Sequence, residues 1–197
     1  MTIGPLTIVA PAHSLPTMRI TLELESTDLE RFQSAFDRSR HLAAEADEVD
    51  IIDAAKHALD TLVFDTLPTY VRKRLVHVQR LIMMLEDDVW SLPMPDRNEA
   101  LAALAYFGDP DDLIPDHIEV IGMVDDAIML ELIARRMRHV LHAYRRFCAF
   151  RRTRKAEPDD DASRMSTARE LAEYRASLID ELSSRRERVG ARVEQLT

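Results

Sequence analysis

The stretch that decides the fold is residues 69–91, TYVRKRLVHVQRLIMMLEDDVWS. Apolar side chains recur in it every three or four residues, at Val71, Leu75, Val78, Ile82, Leu85 and Val89. This spacing places them along one face of an α-helix. The stretch therefore predicts an amphipathic helix over about 69–91 that buries one side in a core.

The same periodicity continues on both sides of this helix. It predicts helices over about 26–46, 48–66, 100–107, 123–155 and 164–195. Leu67-Pro68 ends the second of them, because the residue before a proline disfavours helical geometry. The short helix 100–107 follows a stiff connector, Leu92-Pro93-Met94-Pro95.

A different pattern occurs near the N-terminus. Met18, Ile20, Leu22 and Leu24 alternate with polar residues, which predicts a strand over about 17–25. A single strand needs a pairing partner, and no second strand is predicted, so we expect pairing with a second copy of the chain. The predicted fold is mostly α: a helical bundle of about five to six helices with one short N-terminal β-strand.

The predicted organisation has four parts. Residues 1–16 are expected to form a flexible tail, 17–156 a helical domain, 157–163 a charged linker, and 164–197 a C-terminal helix suited to docking a partner. Three prolines interrupt residues 1–18, so we expect no membrane-spanning helix there. The stretch has no basic start and its apolar run Leu6–Ala10 is short, so we expect no signal peptide either. These features predict a cytoplasmic protein.

Composition excludes several classes of function. The chain has 197 residues, 46% hydrophobic and 31% charged, which is enough apolar content for a buried core. Its four glycines are too far apart for a phosphate-binding loop. Its single cysteine, Cys148, excludes an internal disulfide framework and a cysteine-based zinc site.

Charge is distributed unevenly. The formal net charge is −9, yet residues 135–155 contain nine lysines and arginines and no acid, so the remainder carries −18. Arg135, Arg138, Arg145 and Arg152 are the predicted anion-binding residues, for nucleic acid or an anionic membrane surface. The alternative is that acidic parts of the same chain neutralise this segment.

Residues 103–126 read ALAYFGDPDDLIPDHIEVIGMVDD. The core DLIPD followed by G-x-x-D-D resembles the YkvA-like family, a bacterial domain of unknown function, over about residues 96–135. The resemblance implies a helical corner and no known reaction.

Four carboxylates in this segment, Asp112, Asp116, Asp125 and Asp126, are the candidate metal ligands. Several converging carboxylates are what a divalent cation such as Mg²⁺ or Mn²⁺ requires. The alternative is that each aspartate caps the start of a helix.

No catalytic residues and no other cofactor are predicted. The first hypothesis for function is a non-enzymatic helical interaction or scaffold protein that binds a protein partner or itself. One alternative is a divalent-cation-binding protein or metal-dependent hydrolase that uses the four aspartates. The other is nucleic-acid or anionic-membrane binding through residues 135–155.

Overall fold

A computed structural model describes residues 6–10, 18–22, 25–64, 67, 69–108, 124–154 and 160–194 of the chain. Two strands precede seven helices in these residues. In chain order they are β1 Leu6–Ala10, β2 Met18–Leu22, α1 Ser26–Glu45, α2 Glu48–Thr61, α3 Thr69–Leu85, α4 Met94–Phe107, α5 Val124–Arg136, α6 Arg138–Thr153 and α7 Asp161–Glu194. None of the helices has the length and apolar character needed to cross a bilayer.

The described residues are mostly helical, but they form seven helices where five to six were predicted. One source of the difference is Met137, which interrupts the helix predicted over 123–155 and divides it into α5 and α6. The backbone there is a turn, although the amide of Leu141 still donates to the carbonyl of Met137 at 2.9 Å. The apolar periodicity runs through this turn unchanged, so the sequence pattern did not reveal it.

Strand β2 lies within the predicted stretch 17–25, and its pairing partner is a segment of the same chain. It runs antiparallel to β1, with Leu6 opposite Leu22 and Ala10 opposite Met18. Residues 6–10 belong to the predicted tail 1–16, whose other residues lie outside the described part. Strand pairing consequently gives no argument for a dimer.

The chain divides into two compact units, and the first contains residues Met1–Met83 and Arg97–Arg135. Apolar side chains of five helices, α1 to α5, are buried in it, among them Phe36, Ala55, Leu75, Leu104 and Ile133. Ion pairs join its helices at the edge of this core: Arg40 with Glu99 at 2.9 Å, Arg74 with Glu131 at 3.5 Å, and Arg97 with Glu48.

The second unit contains residues Met84–Asp96 and Arg136–Thr197. It contains the end of α3, the turn that follows it and the start of α4, together with α6 and α7, which pack against each other. Trp90, Phe147 and Leu178 are fully buried in it. The C-terminal helix therefore belongs to a packed unit, and its Leu178 and Leu182 are core residues.

Two helices end earlier than predicted, and this changes which side chains are buried. Helix α2 ends at Thr61, and Val63 is exposed. Helix α3 ends at Leu85, so Val89 leaves the apolar stripe and is exposed, whereas Trp90 becomes buried. The backbone amide of Trp90 donates to the carboxylate of Asp87 at 3.1 Å, which closes a turn in place of the next helical turn.

Candidate functional site

Helix α6 carries a basic surface of the second unit. One face of this helix is apolar and buried through Val140, Ala143, Tyr144 and Phe147. The opposite face carries four exposed basic residues, Arg138, His142, Arg145 and Arg152. At 100° per residue these four lie within about 80° of one another around the helix axis. We call them the α6 basic face.

A buried carboxylate anchors the inner side of α6. Arg151 contacts both oxygens of Asp87, with Nη1 2.9 Å from Oδ1 and Nη2 2.8 Å from Oδ2. The hydroxyl of Tyr144 donates to Oδ2 at 3.0 Å. Only 7% of the Asp87 side chain is exposed, so this carboxylate is held by protein donors. The contacts of Asp87 with Tyr144 and Arg151 join α6 to the turn that follows α3.

The surroundings of Asp87 and Tyr144 move the pKa values of both side chains further from pH 7. Burial alone would raise the pKa of Asp87, but hydrogen bonds from Arg151, the Trp90 amide and Tyr144 outweigh it and lower the pKa. Burial raises the pKa of Tyr144, and the Cys148 thiol and the Asp87 carboxylate raise it further. At neutral pH Asp87 is charged and Tyr144 is protonated.

Aromatic packing and an arginine fix the same turn. The Trp90 ring lies 5.6 Å from that of Tyr144 and 5.2 Å from that of Phe147, between centroids. Arg175 of α7 donates to the carbonyl oxygens of Trp90 and Ser91. Ser91 has a φ of 45°, in the left-handed region that favours glycine. Helices α6 and α7 together hold a strained turn.

Three arginines of the basic segment are neutralised within the unit. Besides the Arg151–Asp87 pair, Arg146 contacts Glu181 at 2.6 Å and Arg154 contacts Glu170 at 2.9 Å. The acids come from α7 and from the turn after α3. Intramolecular neutralisation therefore applies to part of residues 135–155.

The outer arginines of α6 are in a different situation. Arg138 donates to Nε2 of His139 at 3.0 Å, and Arg145 lies 3.1 Å from Nδ1 of His142. Among the described residues, no acid lies within ion-pair distance of Arg138, Arg145 or Arg152. The face consequently keeps its positive charge.

Helix α7 adds a further cation beside the start of α6. Arg185 lies 3.5 Å from Nε2 of His139. Burial lowers the pKa of His139, and the nearby charges of Arg185, Arg138 and His142 lower it further. His139 is therefore neutral at pH 7, and the guanidinium groups carry the charge at this end of the face.

Three of the four predicted anion-binding residues lie on one helix. Arg138, Arg145 and Arg152 share one face of α6. Arg135 lies on α5, in the first unit, and is paired with Glu131 at 2.8 Å. Sequence reasoning missed Asp87, Arg175 and Arg185, because each acts on residues far away in the chain.

The four predicted metal ligands do not all lie within the described residues. Asp112 and Asp116 lie outside the described residues, whereas Asp125 and Asp126 fall in the first turn of α5. Within the part of the chain that is described, no three histidine, cysteine, aspartate or glutamate side chains come together as a metal site.

The comparison with known families concerns a region of the first unit that includes parts of α4 and α5 and does not include α6. No curated protein and no solved structure matches the chain. One family model does match, over residues 99–132, and its description is "Protein of unknown function (DUF1232)". The chain therefore contains a region similar to this family within the predicted segment 96–135.

Proposed function

We propose that this chain is a non-enzymatic interaction protein that binds nucleic acid through the α6 basic face. One observation supports this most directly. Arg138, Arg145 and Arg152 lie in register on one exposed face without an acidic partner among the described residues, while neighbouring arginines of the same helix are paired.

The spacing of these arginines suits an extended polyanion. The three arginines are spaced seven residues apart. Their Cα atoms are therefore about 10.5 Å apart along the helix axis, and the row extends over about 21 Å. A single small anion would be met by converging cations, whereas a row of cations follows a chain of phosphates. Arginine also binds phosphate in a two-pronged geometry, which lysine cannot.

The absence of large exposed apolar side chains on α6 favours nucleic acid over a membrane as the partner of the α6 basic face. A helix that lies in a membrane interface inserts an apolar face among the lipids. In the described part of the chain, the large exposed apolar residues lie on other elements, such as Val76, Met83 and Met165, and none is on α6. The α6 basic face is therefore suited to phosphate contacts alone.

The chemistry of the second unit supports a non-enzymatic role. A general acid or base works best with a pKa near the working pH. The pKa of Asp87 is lowered and that of Tyr144 is raised, and both side chains hold the turn after α3. We also propose that the segment 96–135 is YkvA-like, on the strength of its DLIPD and G-x-x-D-D residues.

The test is binding of the full chain to a fluorescent duplex oligonucleotide over a series of salt concentrations. The variant Arg138→Glu with Arg145→Glu should abolish binding at physiological salt. The neutral pair Arg138→Gln with Arg145→Gln should lower the slope of log K against log salt by about 1.8, since each lost phosphate contact contributes about 0.9.

A matched control makes the same charge change elsewhere. Arg72→Glu with Arg80→Glu reverses two exposed charges on α3 and should leave the affinity for the duplex within about twofold. Equal loss of binding in both double variants would show that net charge matters and the α6 basic face does not. Binding to anionic vesicles but not to the duplex would also overturn the proposal.

A further inference from the structure

The outer side of α3 carries a second basic surface, in the first unit. Residues 69–85 contain four cations and no acid. Five exposed residues form one stripe that covers an arc of about 100° around the helix axis. They are Arg72, Lys73, Val76, Arg80 and Met83, and we call them the α3 stripe.

One property distinguishes the α3 stripe from the α6 basic face, and a second is common to both. The stripe includes two exposed apolar side chains, Val76 and Met83, among its cations. Its three cations also have no acidic partner among the described residues; Arg74, the fourth cation of the helix, points elsewhere and pairs with Glu131. The stripe therefore suits a partner that is both acidic and apolar.

The same unit carries a surface of that kind where α1 ends and α2 begins. Residues 41–55 contain five acids and no lysine or arginine. Leu42, Glu45, Asp47, Val49 and Asp50 are exposed around the turn, and we call them the α1–α2 corner. Leu42 is 53% exposed and Val49 is 62% exposed.

The internal contacts of the corner leave these residues available. Of its acidic neighbours, Glu48 is occupied by Arg97, and Asp53 contacts Lys56 at 3.7 Å. Asp47 accepts the amide of Val49 at 2.8 Å, which fixes the start of α2. Among the described residues, no cation lies within ion-pair distance of Glu45 or Asp50.

We propose that the α3 stripe of one molecule binds the α1–α2 corner of a second copy. The two surfaces are complementary in charge, because three cations face three acids. They also match in apolar character, because each surface adds two exposed apolar side chains. A nucleic acid would offer phosphates to the stripe but would leave its apolar residues in water. A contact between two different surfaces of identical chains either closes reciprocally as a dimer or continues from copy to copy.

This contact uses other residues than the proposed nucleic-acid site, so each can fail without the other. Because a single helix face is small for an interface, association should be weak and should decrease with salt. Sedimentation velocity of the full chain over a dilution series measures it. The wild type should associate at low salt.

Charge reversal on either surface should yield a monomer. Arg72→Glu with Arg80→Glu disables the α3 stripe, and Glu45→Lys with Asp50→Lys disables the α1–α2 corner. An equimolar mixture of the two variants should associate again, because each still carries one intact surface. Circular dichroism establishes that each variant is folded, and Arg72→Gln with Arg80→Gln replaces the reversal if it is not.

Arg138→Glu with Arg145→Glu, which makes the same charge change on α6, should leave association unchanged. A wild type that stays monomeric at its highest soluble concentration would overturn the proposal. So would a mixture of the two variants that remains monomeric, or a reversal on either surface that leaves association as it was. Binding of the monomeric chain to anionic vesicles through the α3 stripe would assign that surface to lipid instead.

Discussion

At Asp87, one carboxylate receives hydrogen bonds from residues that are 57 and 64 positions away in the sequence, Tyr144 and Arg151. It also accepts the amide of Trp90. Sequence reasoning detects partners three or four residues apart on a helix, and it has no comparable signal for these contacts. The contacts of this buried carboxylate were therefore not predictable from spacing.

We predict that Asp87→Asn lowers the free energy of unfolding by about 2 kcal/mol at neutral pH, because Arg151 loses a buried anionic partner. Chemical denaturation of both chains measures the change. Asp88→Asn is the control, since Asp88 is exposed and its replacement should cost less than about 0.5 kcal/mol.

The effect of Asp87→Asn should also depend on pH in a defined direction. The pKa of Asp87 is lowered in the folded protein, so its contribution is fully present above the pKa of the unfolded chain and is lost as the pH falls through the folded value. The difference between wild type and variant should therefore shrink in acid. A difference that stays constant as acid is added would contradict the role assigned to the charged carboxylate.

Among the helices, α7 shows what sequence periodicity could and could not predict. Its existence and approximate limits were predictable, and the helix extends over Asp161–Glu194. Its thin apolar stripe favoured a helix that docks a partner. In the structure Leu178 and Leu182 are instead buried within the second unit, because α6 offers an apolar face that α7 covers.

Replacing Leu178 with alanine should destabilise the protein by about 2–5 kcal/mol, as expected for a fully buried leucine. Thermal unfolding followed by circular dichroism measures the loss. Met165→Ala removes a side chain of similar size that is 75% exposed on the same helix, and it should change little. Equal effects of the two substitutions would mean that α7 does not dock through Leu178.

Part of the α6 basic face was predictable, because the position of a residue around a helix depends only on its spacing in the sequence. The spacing of Arg138, Arg145 and Arg152 places them together on any helix that contains all three. Arg135 lies on α5, because the turn at Met137, which has no signature in the apolar pattern, separates it from α6. Which arginines are paired depended on acids from other elements, and this could not be predicted.

Over the whole molecule, a net charge of −9 means that acids of the chain compete with any anionic partner for its arginines. Glu181 is such a competitor, because it holds Arg146 beside the α6 basic face. A hydrogen bond from Arg146 lowers the pKa of Glu181, and the charge of Arg146 lowers it further, so the carboxylate is ionised at neutral pH.

Glu181→Gln should therefore strengthen binding to the duplex and steepen its salt dependence by about 0.9, since Arg146 becomes available to one more phosphate. Fluorescence titration over several salt concentrations measures both. Glu173→Gln is the matched control, because Glu173 pairs with Arg169 along the outside of the same helix. Unchanged affinity in Glu181→Gln would indicate that Arg146 has no access to the partner.

The boundaries of the two units fall inside helices: between Met83 and Met84 in α3, between Asp96 and Arg97 in α4, and between Arg135 and Arg136 in α5. Neither unit thus corresponds to an uninterrupted piece of the gene. Recombination of one continuous gene segment would therefore not transfer a whole unit. Substitutions in one unit must also preserve α3, α4 and α5, because these helices continue into the other unit.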